Sequence, residues 1–271
     1  MQYAPIKRLL GRFFAGSHLL RKTLYFLLDL LLLRTWHVKK ALRKIARLFP
    51  GEASVLDAGS GFGQYTWRMS RMNRRWKFKA IDINKEQIND CNVFFSKAGL
   101  SDRVSFYICD LTTLNDLDCY DIILSVDVME HIEEDIMVFQ NFYKSLRNNG
   151  ILLISTPSDK GGSDVHSDQE ESFIDEHVRD GYSIKDITEK LSLAGFRTIE
   201  AGYTYGKPGN ISWRLSMKYP IKMLNVSYLF FLLLPFYYLI FSPVSIILNI
   251  FDLCLTNKTG TGLLVTARKQ E

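Results

Sequence analysis

The sequence predicts a doubly wound α/β domain, and three observations carry that prediction. From about residue 53, short apolar runs alternate with helical stretches, the pattern of a parallel sheet covered on both faces. The run "VLDAGSGFGQY" (55–65) then takes an apolar strand into a turn with glycines at 59, 61 and 63. Such a turn lets backbone approach a small molecule without Cβ interference and points the next helix's N-terminus at it. Finally, the next two strands end in Asp82 and Asp110, at the carboxyl edge where folds of this class bind ligands. With 271 residues and 47% apolar content, the chain can bury one sizeable core and carry attachments.

The elements follow in order. "SVLDAG" is a strand, 63–73 a helix, "FKAIDI" a strand and 84–98 a helix. "VSFYICD" and "YDIILSVD" are strands, 133–147 is a helix and "GILLISTP" a strand. In "GYSIKDITEKLSLAGFRTIEAGYTY", Ser183 is an N-cap with Asp186 at the capping-box position, and Gly195 stops the helix before a strand over 196–204. "GLLVTARK" near the end has strand character, and 158–176 is polar, acidic and loop-like. Cys91, Cys109, Cys119 and Cys254 form no CxxC pair, so neither a disulfide framework nor a zinc finger is expected.

Charge is distributed unevenly. Residues 1–50 hold eleven Lys or Arg and one acid, Asp29, so that segment carries +10 and the remainder −5 of the whole-chain +5. A basic arm expects an anionic partner. Here the charges are interleaved with the Leu-rich run 24–33, which suits a lipid interface better than a phosphate groove. The alternative is a helix packed on the domain with a solvated basic face. The second unusual segment is Met223–Phe251, 29 residues without one charge. As straight helix it would measure about 44 Å against a hydrocarbon core of about 30 Å. If "GLLVTARK" pairs in the same sheet as "FRTIEAGY", however, the chain must return to the side it left, and two crossings need about 40 residues. The expectation is therefore a monotopic element, a hairpin or interfacial helix bent at Pro235 or Pro243. Its flanks are basic (Arg214, Lys218, Lys222; Lys258, Arg268, Lys269), as cytoplasmic flanks are. A buried core or dimerisation helix is the soluble alternative.

The glycine spacing is GxGxG, with Gln64 where a dinucleotide fingerprint requires Gly, and no phosphate-binding Lys follows. Asp82 can accept hydrogen bonds from ribose hydroxyls and Asp110 can meet an exocyclic amine. This grip suits a nucleoside with an amino-acid tail, whose ammonium would meet Asp57 and the turn's carbonyls. In this order and spacing, "VLDAGSGFG", "AIDIN", "ICDL", "YDIILSVDVMEHI" and "NNGILLISTPS" resemble the motifs of class I S-adenosylmethionine-dependent methyltransferases, including those of ubiquinone and menaquinone biosynthesis. The resemblance covers about 38–205 and 262–269. It implies a Rossmann-like sheet of seven strands whose last, antiparallel strand lies between the fifth and sixth. It also implies S-adenosylmethionine as cofactor. Gly59, Gly61 and Gly63 would cradle the methionine part, Asp82 the ribose, and Asp110 with Leu111 the adenine. Asp57, Ser60, Ile83 and Val126 complete the expected cofactor-binding set.

The expected organisation is a membrane-associating N-terminal region (1–37), a methyltransferase domain (38–205), an apolar monotopic insertion (206–256), and the last strand with its tail (257–271). The acceptor expected from these parts is a lipophilic small molecule, quinone-type, isoprenoid-linked or a lipid headgroup, methylated at the cytoplasmic face of a membrane. His131 and His177 are the candidate bases, with Arg179 a candidate clamp for an acidic group. The other readings are that the Glu130-His131 pair only supports its loop and that His177 and Arg179 lie in a solvated loop, with His166 in a lid. Asp127, Glu130 and His131 at i, i+3 and i+4 share a face if the strand turns directly into a helix, and resemble the metal-holding segment of some ubiquinone-pathway O-methyltransferases, with Asp127 where Glu is usual. No metal is expected. Nucleic acid is not the expected partner, because "SVDVMEH" stands where base N-methylation resembles an (N/D)PPY loop. A non-catalytic recruiting protein of the same fold is the alternative from another class.

Overall fold

A computed structural model describes residues 18–161 and 178–270. The chain enters through two helices, α1 (His18–Leu31) and α2 (Leu33–Leu48), separated at Leu32. Then β1 (Ser54–Ala58), α3 (Gln64–Met72), β2 (Lys77–Asp82), α4 (Lys85–Lys97), β3 (Val104–Ile108), β4 (Tyr120–Val126), α5 (Asp135–Ser145) and β5 (Leu146–Pro157) alternate as expected. After them come α6 (Ile184–Leu193), capped by Ser183 Oγ accepting from the Asp186 N–H, and β6 (Thr198–Thr204). The seven-stranded sheet has the order β3-β2-β1-β4-β5-β7-β6, with β7 (Gly262–Arg268) antiparallel to both β5 and β6. The resemblance implied this topology.

Adjacent apolar residues in a strand face opposite sides, which is why these strands read as unbroken hydrophobic runs. Leu56, Ile123 and Leu152 pack with Phe139, Phe142 and Ile187 on the α5–α6 side. Val55, Ile122 and Leu153 pack with Val38, Leu42, Trp76 and Phe95 on the α2–α4 side. α2 therefore belongs to the domain core, and it runs across the residue-38 boundary expected from the sequence.

Between β6 and β7 the chain makes a helical hairpin. The first leg is α7 (Lys207–Trp213), a π-helical turn (Arg214–Lys218) and α8 (Tyr219–Val226). A 3-10 turn (Tyr228–Leu232) reverses it into α9 (Leu234–Cys254). Pro235 opens α9, whereas Pro243 lies inside it without ending it. The legs are tied by Ser212 Oγ donating to Ser245 O (3.1 Å) and by the Tyr237 and Tyr238 hydroxyls donating to Leu215 O and Ser216 O (2.8 and 2.9 Å). Ser212, Ser216, Ser245, Asn249 and Asp252 are buried, while Leu229, Phe231, Phe236, Leu239, Ile240, Ile247 and Ile250 are exposed. The hairpin is thus inverted relative to a water-soluble helix pair, which buries its apolar stripe. Asp252 pins its base. The carboxylate accepts from the backbone N–H groups of Tyr205 and Gly209, both at 3.2 Å, and lies 2.8 Å from His37 Nε2 on α2. Both strands that flank the hairpin meet it at the carboxyl edge of β5, since Thr204 pairs with Gly262 and Gly262 with Pro157.

Candidate active site

The turn after β1 has its geometry because three glycines occupy left-handed backbone, with φ +78°, +50° and +75° at Gly59, Gly61 and Gly63. An added Cβ at Gly59 would sit 2.2 Å from Val128 Cγ2, so β1 and the β4 loop close on each other only without a side chain there. The N–H groups of Gly59 and Ser60 both donate to Ile81 O at 2.9 Å, stitching the turn to β2. Asp82 then accepts from the Gly61 N–H and the Asn84 N–H, one at each oxygen, at 2.8 Å. A carboxylate has about four acceptor positions, so lone pairs remain for an incoming ligand. Ile83 stands beside it, exposed. Asp110 Oδ1 caps the 3-10 turn Leu111–Thr113 by accepting from the Thr112 N–H and hydroxyl (2.9 and 2.8 Å), while Leu111 is buried beneath. Asp57 is buried under the turn and accepts from Thr66 Oγ1. Burial raises its carboxyl to about 6 despite that bond. The Ser60 hydroxyl is buried with no partner among the described residues.

The opposite wall comes from the end of β4. Val126 closes the strand, and Asp127 takes a left-handed φ of +52° before a 3-10 turn over Met129–His131. The strand therefore does not turn directly into a helix, and the helical spacing expected to align Asp127, Glu130 and His131 does not form. Asp127 forms an ion pair with Arg34 at the start of α2. Glu130 is buried against Thr156 Oγ1 (3.1 Å), its carboxyl pushed up by burial, and His131 is half-buried. Among the described residues no group of three or more His, Cys, Asp or Glu is placed to hold a metal ion.

Tyr205, also at a left-handed φ (+55°), reaches in from the foot of the hairpin and accepts from the Arg34 N–H at 2.8 Å. Arg34 and Tyr205 were not legible as site residues. They lie 171 positions apart, and Arg34 reads in the sequence only as one charge of the basic arm. The clamp role expected of Arg179 is overturned: its guanidinium pairs with buried Asp135 and donates to Ile132 O and Glu133 O, locking the chain after β5. His177 and His166 lie outside the described residues.

The turn is also covered from outside. α1 buries Arg21 and Tyr25 against it: Arg21 donates to Phe62 O, Asp90 O and Cys91 Sγ (2.9, 3.0 and 2.9 Å), and the Tyr25 hydroxyl donates to Phe62 O. Asp29 accepts from Gln64 (2.9 Å) and pairs with Arg68. The described part of the basic arm is thus packed on the domain.

A family profile described as a methyltransferase domain matches residues 51–195, the stretch that carries the turn, Asp82, Asp110 and the β4 loop. The chain belongs to this methyltransferase family. Among curated relatives, the wheat (Triticum aestivum) phosphoethanolamine N-methyltransferase 1 is 29% identical over 149 residues, 54% of this chain and 29% of that protein. The ubiquinone biosynthesis O-methyltransferase of Rickettsia typhi is 26% identical over 102 residues, 38% of this chain and 40% of that protein. These matches span less than half of the relatives' length. Among solved structures, the Haemonchus contortus phosphoethanolamine N-methyltransferase 2 in complex with S-adenosyl-L-methionine superposes with a TM-score of 0.59 at 17% identity, covering 86% of this chain and 53% of that one. The [4+2]-cyclase SpnF gives 0.54 at 18%, covering 81% and 75%. These two likenesses concern the fold. The residues of this methyltransferase domain fit S-adenosylmethionine as cofactor. Asp82 keeps acceptor positions beyond its two backbone bonds, and the buried Ser60 hydroxyl has no partner among the described residues, as a site for a nucleoside donor requires.

Proposed function

We propose that the protein transfers a methyl group from S-adenosylmethionine to a lipophilic acceptor resident in a membrane, working at the cytoplasmic face as a monotopic protein. The inverted hairpin carries this reading. It displays Leu229, Phe231, Phe236, Leu239, Ile240, Ile247 and Ile250 to the outside and keeps its serines, Asn249 and Asp252 within. Exposed apolar surface of this extent marks an interaction site, and an inward polar seam with small residues suits helices packed in lipid. α9, with 21 residues, is long and apolar enough to cross a membrane. Because Thr204 and Gly262 leave and rejoin the sheet side by side, the reading has the hairpin enter and leave one face, its tip in one leaflet. Lys207, Arg214, Lys218 and Lys222 on the first leg suit the headgroup level.

Bound S-adenosylmethionine supplies an electrophilic methyl on a sulfonium, and positioning an acceptor in line with it contributes much of the rate. In this chain the glycine turn and Asp82 fix the donor. The Arg34–Asp127 pair and the Tyr205 hydroxyl offer a donor and acceptors to a polar headgroup at the foot of the hairpin, so an acceptor could keep its apolar tail in lipid while its headgroup reaches the methyl. The relatives named for phosphoethanolamine and ubiquinone chemistry support a small-molecule acceptor.

The test is methyl-labelled S-adenosylmethionine incubated with the protein and membrane lipid extract. Label in the organic phase, lost in the exposed-face variant Phe236→Asp/Ile240→Asp, is expected. Transfer only to water-soluble acceptors, equal in both proteins, would overturn the membrane-resident acceptor.

A further inference from the structure

The helix that covers the glycine turn has a second face. On α1, Arg21 and Tyr25 are buried on the turn, while Leu19, Phe26 and Leu27 point away from it and are exposed, at 73%, 64% and 39%. Of its 14 residues only Arg21 and Tyr25 are fully buried, with Tyr25 edge-on to Phe94 at 5.6 Å and His18 beside the same ring at 4.8 Å. Beside these ring contacts stand polar ones: the Arg21 and Tyr25 bonds to Phe62 O, and the Asp29 interactions with Gln64 and Arg68 of α3. These polar contacts grip the turn and the helix that follows it.

We propose that the outer face of α1 is a second lipid contact and that its engagement tightens the glycine turn, so membrane binding and donor binding are thermodynamically coupled. This rests on the membrane reading above. Two observations favour a bilayer interface as the occupant of that face. Exposed Arg43, Lys44 and Arg47 follow the apolar face on α2, a composition that suits anionic headgroups. α2 is joined to the base of the apolar hairpin through His37–Asp252 and through Lys40 Nζ donating to Leu253 O (2.6 Å). The helix that follows α1 is therefore tied to the hairpin. In water, the exposed Leu and Phe side chains gain nothing from the docked position, whereas in lipid the helix that carries them is held and Arg21 stays on Phe62 O.

A ligand shifts an equilibrium only by its differential affinity for the two states. Here the states are α1 docked with the turn braced, and α1 released with the turn loose. Coupling is reciprocal, so the donor should strengthen vesicle binding by the same factor that vesicles strengthen donor binding.

The experiment is calorimetric titration of the detergent-free protein with S-adenosylmethionine, with and without phosphatidylcholine vesicles containing about one quarter phosphatidylglycerol, alongside vesicle co-sedimentation. In the wild type, vesicles should tighten donor binding about five-fold or more. In Leu19→Ser/Phe26→Ser, altered only on the exposed face, donor affinity in solution should be unchanged and vesicle binding through the hairpin retained, with the tightening lost. Vesicle binding by the wild type with unchanged donor affinity overturns the coupling and leaves the membrane reading standing. Failure of the wild type to bind vesicles overturns the membrane reading, and the coupling falls with it.

Discussion

Gly59→Ala is the perturbation whose consequence follows most directly from the geometry. At φ +78° an alanine pays the left-handed backbone penalty of about 1–2 kcal/mol. Its Cβ would also lie 2.2 Å from Val128 Cγ2, so either Val128 or the turn must move by close to an ångström, an overpacking cost of about 1–3 kcal/mol. Together the loss is about 2–5 kcal/mol, a large share of a domain's net stability of about 5–15 kcal/mol. The two contributions separate in a double-mutant cycle, because Val128→Ala removes the overlap and leaves the backbone strain. In urea unfolding, Gly59→Ala/Val128→Ala should be more stable than the sum of the single variants predicts, by about 1–3 kcal/mol. Donor affinity should recover in parallel. Additive variants, or a Gly59→Ala protein as stable as the wild type, would show that the turn does not press on the β4 loop and refute the argument for its shape.

Other consequences can be checked independently. Asp82→Ala should weaken S-adenosylmethionine binding by about 1.5–3 kcal/mol, since it removes a charged acceptor for the ribose, and also frees the Gly61 N–H that it holds; calorimetry reads this directly. Asp57 has a carboxyl raised by burial from 3.8 to about 6, so its protonated form suits the fold. Its contribution to stability is full below pH 3.8 and lost as pH rises to about 6. The stability difference between wild type and Asp57→Asn should therefore fall across that window and level off above it. Asp135→Ala strips the partner from Arg179, Lys190 and the Tyr182 hydroxyl, and breaking a buried pair of this kind costs about 3–5 kcal/mol in a urea melt. Phe236→Asp/Ile240→Asp should leave the urea midpoint in water near the wild-type value, because both side chains are exposed, and lower vesicle co-sedimentation at least several-fold.

What could be read from the sequence was what the chain encodes locally. The alternation of apolar runs, the three glycines and the acids at the ends of β2 and β3 lie within a few residues of the structures they form, and all stand where they were expected. The uncharged run likewise announced a helical insertion, but its polar seam did not show, because Ser212 and Ser216 sit on a different leg from Ser245 and Asn249. Long-range pairings were hidden. Arg179 reads as a candidate clamp, whereas it pairs with Asp135; Arg34 reads only as one charge of the basic arm, whereas its guanidinium pairs with Asp127 and its backbone N–H donates to the Tyr205 hydroxyl. The shared face expected of Asp127, Glu130 and His131 depended on the strand turning directly into a helix, and that condition fails at the left-handed φ of Asp127, which residue types in sequence do not reveal.

The central claim is that the turn after β1 holds a methyl donor by way of Asp82. Calorimetric titration of the purified protein with S-adenosylmethionine, and separately with NADH, tests it most directly. The account predicts micromolar binding of S-adenosylmethionine, none of NADH, and a loss of donor affinity of roughly ten-fold or more in Asp82→Ala. Absence of S-adenosylmethionine binding, or an affinity untouched by Asp82→Ala, would contradict it.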